Sequence, residues 1–327
     1  MKKYIKNIIV ALLCFLSVVV LNFLLPRMIP GDPVAYLAGF DEEDFELDQE
    51  EYDRYYKLLH LDESMPRQFV YYLGSLVDGT LGYSYVREDT VLNIIADKVG
   101  YTLQISLPGV VLSALIGLAW GLKCGLKKGS ALDKISTSAL IVVNAVPTFL
   151  IAIIFLIFLC FKHKWFPYMA VNSSDAIPGT FMYFCDRVNH LILPILTLTI
   201  AAVPSRFLII RNTVSKVANE KYVLYARQRG LPEDKIEMSY VFKNIAQPFI
   251  TMMGMSVGTC IGGSVIVEKM FSIYGMGGLL NQATNMLDYP LIQGVLFVTS
   301  FIMTVSIIVT DIICIVIDPK VRLGEET

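Results

Sequence analysis

Charge is what this sequence has least of. Only 17% of its 327 residues are Asp, Glu, Lys or Arg, while 55% are hydrophobic; a soluble domain carries about 25% charge. With a mean hydropathy of +0.58, the composition argues against an ordinary water-soluble fold. The vocabulary of catalysis is missing as well. There is no G-x-x-x-x-G-K-S/T, so the chain does not itself cradle nucleotide phosphates, and no H-E-x-x-H of a zinc protease. The three histidines, His60, His163 and His190, are dispersed, and the six cysteines show no metal-ligand spacing. Cys14, Cys160, Cys260 and Cys314 lie in apolar runs, where a thiol packs as a small hydrophobe. No catalytic residue, metal site or resident cofactor is therefore expected. Nothing points to nucleic acid, and no internal repeat or low-complexity segment is present.

Long apolar runs are what the sequence does have. Six of them, at 8–25, 102–122, 135–161, 191–210, 249–267 and 291–317, are long enough to cross about 30 Å of hydrocarbon as helices. Backbone groups in lipid must bond within their own segment, which makes these runs helical. The expected fold class is an all-α polytopic membrane protein with six transmembrane helices. The first run follows Lys2, Lys3 and Lys6 like a signal peptide, but its core is too long and no small-x-small cleavage site follows. It reads as an uncleaved span. Lys and Arg gather at the ends and in the second and fourth connections, whereas "DEEDFELDQEEYD" at 41–53 is acidic. The positive-inside bias places both termini in the cytoplasm of a cell-membrane protein and the first connection outside.

That first connection is too long for a plain linker. Segments 50–62 and 66–79 read as amphipathic helices, the second with Phe69, Val70, Leu73 and Leu76 on one side. Segment 90–99 reads as an interfacial helix leading into the second span. Together they predict a small extracytoplasmic helical cap. The expected divisions are 1–29 for the terminus and first span, 30–100 for the cap, and 101–327 for a five-helix core. Three glycines among Met and aromatic residues at 268–290 predict a bent, closely packed re-entrant element. In the third span, Asn144 and Pro147 predict a polar kink.

The most structured connection is the fourth, 212–247, with "YARQRGLPEDKIEMSYVFKN" at 225–244. A helix through Arg229 meets Gly230, the residue for a left-handed stop, and Leu231 can pack back on the helix end. Pro232 suits the first position of a new helix, and Glu233 and Asp234 place carboxylates at its positive dipole end. Ile236 and Tyr240 share a face, and this second helix is expected to end by Gln247, before Pro248 opens the fifth span. The pattern is a stiff cytoplasmic hairpin with a defined corner, and a defined projecting shape usually has a partner.

These residues resemble a known family. "YARQRGLPEDKI…VFKNIAQP" is similar to the cytoplasmic EAA loop of ABC importer permeases, in the branch serving dipeptides, oligopeptides and nickel. "IPGDPV" (29–34), "LDESMPRQFVYYLGSLVDGTLGYSY" (61–85), "EKMFSIYGMGGLL" (268–280) and "IDPKVR" (317–322) resemble further motifs of that branch, in the right order. The resemblance implies a type I importer permease fold. It implies a coupling helix around Ala226, Arg227, Arg229, Gly230, Leu231, Glu233 and Asp234, seated on a separate ATPase. The family's opening Glu is replaced by Leu224. Implied partners are a second homologous permease in a heterodimer, two ABC ATPases that bind ATP and Mg, an extracytoplasmic solute-binding protein and membrane lipid. The implied cargo is a di- or oligopeptide carried by alternating access, with nickel or another small solute as the alternative.

An ion-coupled secondary transporter is the rival class, because such proteins place ionisable groups at mid-membrane. Asp311, in the inner part of the last run, costs about 2.5–3.5 kcal/mol at a helix centre on insertion scales. It is expected to be structural, facing protein and partnered by a donor such as Arg206 or Arg211.

Overall fold

The computed structural model describes residues 2–37, 49–262 and 265–317. Most of the acidic stretch 41–53, and all but the first residue of "IDPKVR", lie outside the described residues. The regular elements are α1 (Lys2–Met28), α2 (Pro33–Leu37), α3 (Gln49–Leu58), α4 (Met65–Val77), a hairpin of β1 (Tyr83–Ser84) and β2 (Asp89–Thr90), α5 (Val91–Leu126), α6 (Ala131–Ala145), α7 (Thr148–Phe155), α8 (Phe181–Ala218), α9 (Lys221–Gln228), α10 (Glu233–Ile236), α11 (Lys243–Cys260), α12 (Val265–Met270), α13 (Met276–Asn285) and α14 (Tyr289–Ile317). The chain forms two compact units: Met1–Thr102 with Tyr274–Thr304, and Leu103–Ile273 with Val305–Thr327.

In the first unit, α1 packs on α4 through Val19, Phe23 and Tyr72, with Phe15, Phe69 and Phe297 against them. Phe23 and Phe69 meet edge-on at 5.1 Å, a preferred aromatic geometry. Arg27 adds a polar tie: its Nε and Nη2 donate to Gln68 Oε1 at 3.1 and 2.8 Å, and its Nη1 donates to the Phe23 carbonyl at 2.8 Å. This tie explains a difference from the sequence reading of α4. Gln68 and Tyr72 are its buried residues, while Val70 is 65% exposed. The partner of Gln68 lies 41 residues away, so the inward face is turned away from the purely apolar stripe. The expected interfacial helix at 90–99 is the opening of α5 rather than a separate element.

The hairpin pairs Tyr83 with Thr90 and Ser84 with Asp89. Ser84 Oγ donates to the buried Asp288 carboxylate at 2.5 Å. The other Asp288 oxygen accepts from Leu291 N at 3.3 Å, capping the start of α14. At the head of α13, Met276 N donates to Thr102 Oγ1 at 2.7 Å. Met276, Gly277, Leu279 and Ala283 are buried, so this Gly- and Met-rich segment is packed as expected.

In the second unit, α5 lies directly on α8. A Cβ added at Gly125 would stand 2.6 Å from Val214 Cβ and 2.7 Å from the Arg211 carbonyl, and one at Gly121 would stand 3.0 Å from Ile210 Cβ. Small residues permit such backbone approach between membrane helices. The kink expected at Asn144 and Pro147 is a break: α6 and the helix through Lys162 bend by 93°. The turns 156–162 are π-helical. Helix α8 has 38 residues and contains Pro194 and Pro204, longer at both ends than the apolar run that announced it. Near its start, Asp186 accepts from Ser173 N and Oγ of the preceding loop at 2.8 Å each.

Among the described residues, three helices are long and apolar enough to cross a membrane: Val91–Leu126, Phe181–Ala218 and Tyr289–Ile317. The bent pair makes a fourth if it counts as one span. The first expected run lies in α1, whose apolar part is the shorter Leu12–Met28. The fifth is divided between α11 and α12, and α11 is diluted by Asn244, Gln247, Thr251, Ser256 and Thr259. The chain is thus a helical membrane protein.

Candidate functional site

The corner at Gly230 is a helix stop in the second unit. Helix α9 ends with Arg229 as its C-cap, and Gly230 follows with φ +72°. Gly230 N donates to the Arg227 carbonyl at 2.9 Å, and Leu231 N donates to the Ala226 carbonyl at 3.3 Å. These are the two bonds of a Schellman stop. A Cβ at Gly230 would meet nothing within 4 Å, so the requirement is one of backbone conformation, not of space. Leu231 then folds back onto the core made by Ile210, Val214, Val223, Ala226, Ile236 and Ile245.

Pro232 is the N-cap of α10, one position earlier than expected, and Glu233 and Asp234 occupy the first turn. The short α10 continues through π turns at 237–242 into α11, and Pro248 lies inside α11. The expected stop at Gln247 does not occur, so the second arm of the hairpin and the following helix form one helical path.

The predicted site residues divide between this core and the surface. Ala226 is buried and Leu231 is partly buried, whereas Arg229, Gly230, Glu233 and Asp234 are exposed. Arg227 Nε pairs with Glu233 Oε1 at 3.2 Å across the corner. At this exposure the pair contributes little to stability, but it joins the end of α9 to the start of α10. Two exposed apolar residues were not anticipated: Leu224 is 43% and Tyr225 61% exposed. The signal was available, since both fall on the face of α9 opposite the buried Val223 and Ala226. Partial burial and the neighbouring Glu220 carboxylate push the phenol of Tyr222 up from its ordinary value.

Asp133 is the other residue that sequence reasoning missed. It accepts from Arg211 Nε and Nη2 at 2.8 and 2.6 Å, and from Gly129 N at 2.8 Å. This bidentate pair ties the start of α6 to α8. It also corrects the expected pairing of Asp311. Arg211 is taken by Asp133, and Arg206 Nη2 donates to Ser256 at 3.1 Å. Asp311 stands exposed on α14, with no ion pair among the described residues. Nor do the described residues contain a group of three His, Cys, Asp or Glu side chains arranged to hold a metal.

Comparison with known proteins places this geometry in context. Residues 113–323 match the sequence profile of the binding-protein-dependent transport system inner membrane component family. A putative peptide permease protein of Brucella suis is 31% identical over 322 residues, covering 97% of this chain and 98% of that one. The oligopeptide transport system permease protein AppB of Bacillus subtilis is 26% identical over 319 residues, with coverage of 97% and 98%. The glutathione transport system permease protein GsiC of Escherichia coli strain K12 is 30% identical over 307 residues, covering 93% of each chain. The profile thus spans the helices that carry the corner, and the relatives match nearly end to end: the chain belongs to the family of binding-protein-dependent transport system inner membrane components.

Proposed function

We propose that this chain is the transmembrane permease subunit of an ATP-driven ABC importer for peptides and forms half of its translocation pathway. The observation that carries the reading is the Gly230 corner, a rigid exposed projection built on a buried core, in a chain that aligns along its length with proteins named as peptide permeases. Peptide is the cargo class common to these relatives. The corner is the coupling element. The exposed Leu224, Tyr225, Arg229 and Asp234 give the ATPase an apolar and charged surface to seat on.

In this reading the chain spans the membrane six times with both termini cytoplasmic, and α3, α4 and the hairpin face outward as a cap. A second, homologous permease completes the pore. Two ATPases below bind ATP and Mg, and a solute-binding protein delivers cargo from above. The permease itself carries no catalytic group. Closure of the ATPases on ATP moves the corner, and α8 and α11, which share its core, carry that motion into the spans. ATP must bind the two states with different affinity, otherwise it shifts nothing.

The test is copurification and transport. The tagged chain should bring down two ATPase subunits and a second permease. In proteoliposomes with the binding protein, the assembly should accumulate peptides only when ATP is enclosed on the ATPase side. Recovery of the chain alone, together with uptake driven by a proton or sodium gradient, would replace this reading with that of a secondary carrier.

A further inference from the structure

The first unit contains a cavity of about 520 Å³ that the coupling mechanism does not use. This lies within the range of about 300–1,000 Å³ usual for small-molecule sites. Its wall is dominated by aromatic rings: Tyr71, Tyr72, Tyr83, Tyr85 and Tyr289, with His60. His60 and Tyr71 stack in parallel at 4.0 Å, and Tyr83 meets Tyr85 edge-on at 5.1 Å. Polar groups are few but varied: a guanidinium at Arg27, a carboxylate at Asp78, and the amides Gln68 and Gln293.

Two independent features mark this cavity as more than a packing gap. Tyr72 is 6% exposed, and its buried Oη has no hydrogen-bond partner among the described residues. A buried hydroxyl left unpaired is costly, which calls for an acceptor from outside the chain. Two wall residues that are not glycine also stand in the left-handed region, His60 at φ 56° and Leu81 at φ 59°. Such conformations are strained and cluster at ligand clamps. Each is held in place by a backbone bond, His60 N to the Lys57 carbonyl and Leu81 N to the Ser75 carbonyl.

We infer that this cavity is a peptide-binding site, which takes one aromatic side chain of a short peptide between its tyrosine rings and offers the Tyr72 hydroxyl to a peptide carbonyl or carboxylate. The inference rests on the peptide-import reading and specifies a position for the cargo. Aromatic walls favour an aromatic side chain by stacked and edge-on contacts. Arg27 and Asp78 supply the two charges that complement the carboxylate and the ammonium of a zwitterionic peptide.

The experiment uses the complete importer in lipid nanodiscs and the photoreactive tripeptide Ala-(p-benzoyl-Phe)-Ala. Irradiation followed by mass mapping should place the label within 58–85 or 289–293, and Ala-Phe-Ala should compete far better than Ala-Ala-Ala. Tyr72→Phe keeps the ring and should lower labelling about fivefold, the equivalent of one net hydrogen bond. Tyr71→Ala and Tyr83→Ala, both at exposed positions, should lower it about two- to tenfold. Labelling confined to other segments, equal competition by Ala-Ala-Ala, or indifference to all three variants would overturn the site. So would displacement by peptide-free binding protein but not by Ala-Phe-Ala, which would make the cavity a docking point for a protein loop. A parallel uptake assay with a tripeptide mixture separates the two levels: transport without labelling removes only this site, whereas no transport of any peptide removes the peptide reading.

Discussion

Gly230 is the residue whose chemistry is least replaceable at the corner. At φ +72°, a β-branched side chain meets its own backbone and costs about 1–3 kcal/mol, although the surroundings are open. Gly230→Val should therefore leave membrane insertion and expression near normal while changing the direction in which α10 leaves α9. Its expected readout is ATP hydrolysis without transport, or loss of the ATPases on purification. Gly230→Asn should be milder because Asn tolerates the left-handed region. A Gly230→Val protein that transports normally with its ATPases bound would remove the corner from the coupling path. Asp288 supports a second prediction at this scale. Burial pushes its carboxyl above the ordinary carboxylate value, partly offset by the Ser84 and Leu291 hydrogen bonds and by Arg87. The folded chain then keeps this proton to a higher pH than the unfolded chain does, so this residue's contribution to stability falls as pH rises from the unfolded to the folded pKa. Asn keeps the acceptor without the charge. As pH rises above the ordinary carboxylate range, the thermal midpoint of Asp288→Asn in detergent should rise relative to wild type, and a constant difference would show that Asp288 does not titrate differentially.

At the scale of elements, the seam between α5 and α8 depends on the absence of side chains. Gly125→Val would drive a branched side chain into Val214 and the Arg211 carbonyl, and overpacking of this kind costs about 1–3 kcal/mol. Thermal unfolding of the solubilised chain should show that loss. Gly74→Ala, at a helical position whose added Cβ meets nothing within 4 Å, should be neutral or slightly stabilising. Equal midpoints for Gly125→Val and wild type would mean that the helices separate freely at this point. The seam also shows why some elements were legible in the sequence and others were not. The corner at Gly230 was readable because a helix stop is a local code of Gly, an apolar residue, Pro and acids at fixed offsets. A kink at Pro147 was readable because proline interrupts the helix ladder locally, but the full 93° break was not. The spacing of Gly117, Gly121 and Gly125 was equally visible, but glycines within an apolar run look like tolerated residues until a partner helix is in view. The face of α4 was misjudged at Val70 because Arg27 recruits Gln68 from far along the chain. The pairing of Arg211 with Asp133 was missed because a candidate partner, Asp311, lay in a neighbouring apolar run and drew the assignment.

At the scale of the whole molecule, the proposed assembly requires the corner and the cap to lie on opposite sides of the membrane. Lys and Arg cluster around the corner and the chain ends, whereas the connection after α1 is acidic, and short basic connections stay in the cytoplasm. Hydropathy alone does not decide the matter, since α11 is too polar to pass as a span by composition and a chain with a different number of crossings would reverse one of the sides. Asp62 and Asp234 are exposed positions in the two regions, and the native Cys185 is exposed ahead of the long apolar part of α8. In a background where Cys14 and Cys185 are replaced by serine, Asp62→Cys should react with a membrane-impermeant maleimide in intact cells whose outer envelope has been permeabilised. Asp234→Cys should react only after the inner membrane is broken. With Cys185 restored and neither substitution present, the native thiol should label like position 62, because α8 then starts outside and carries the chain inward to the corner. Protection of position 62, or labelling of position 234 while the inner membrane is intact, would place cap and corner differently from the six-span arrangement, and an ATPase could no longer reach Gly230 from the cytoplasm.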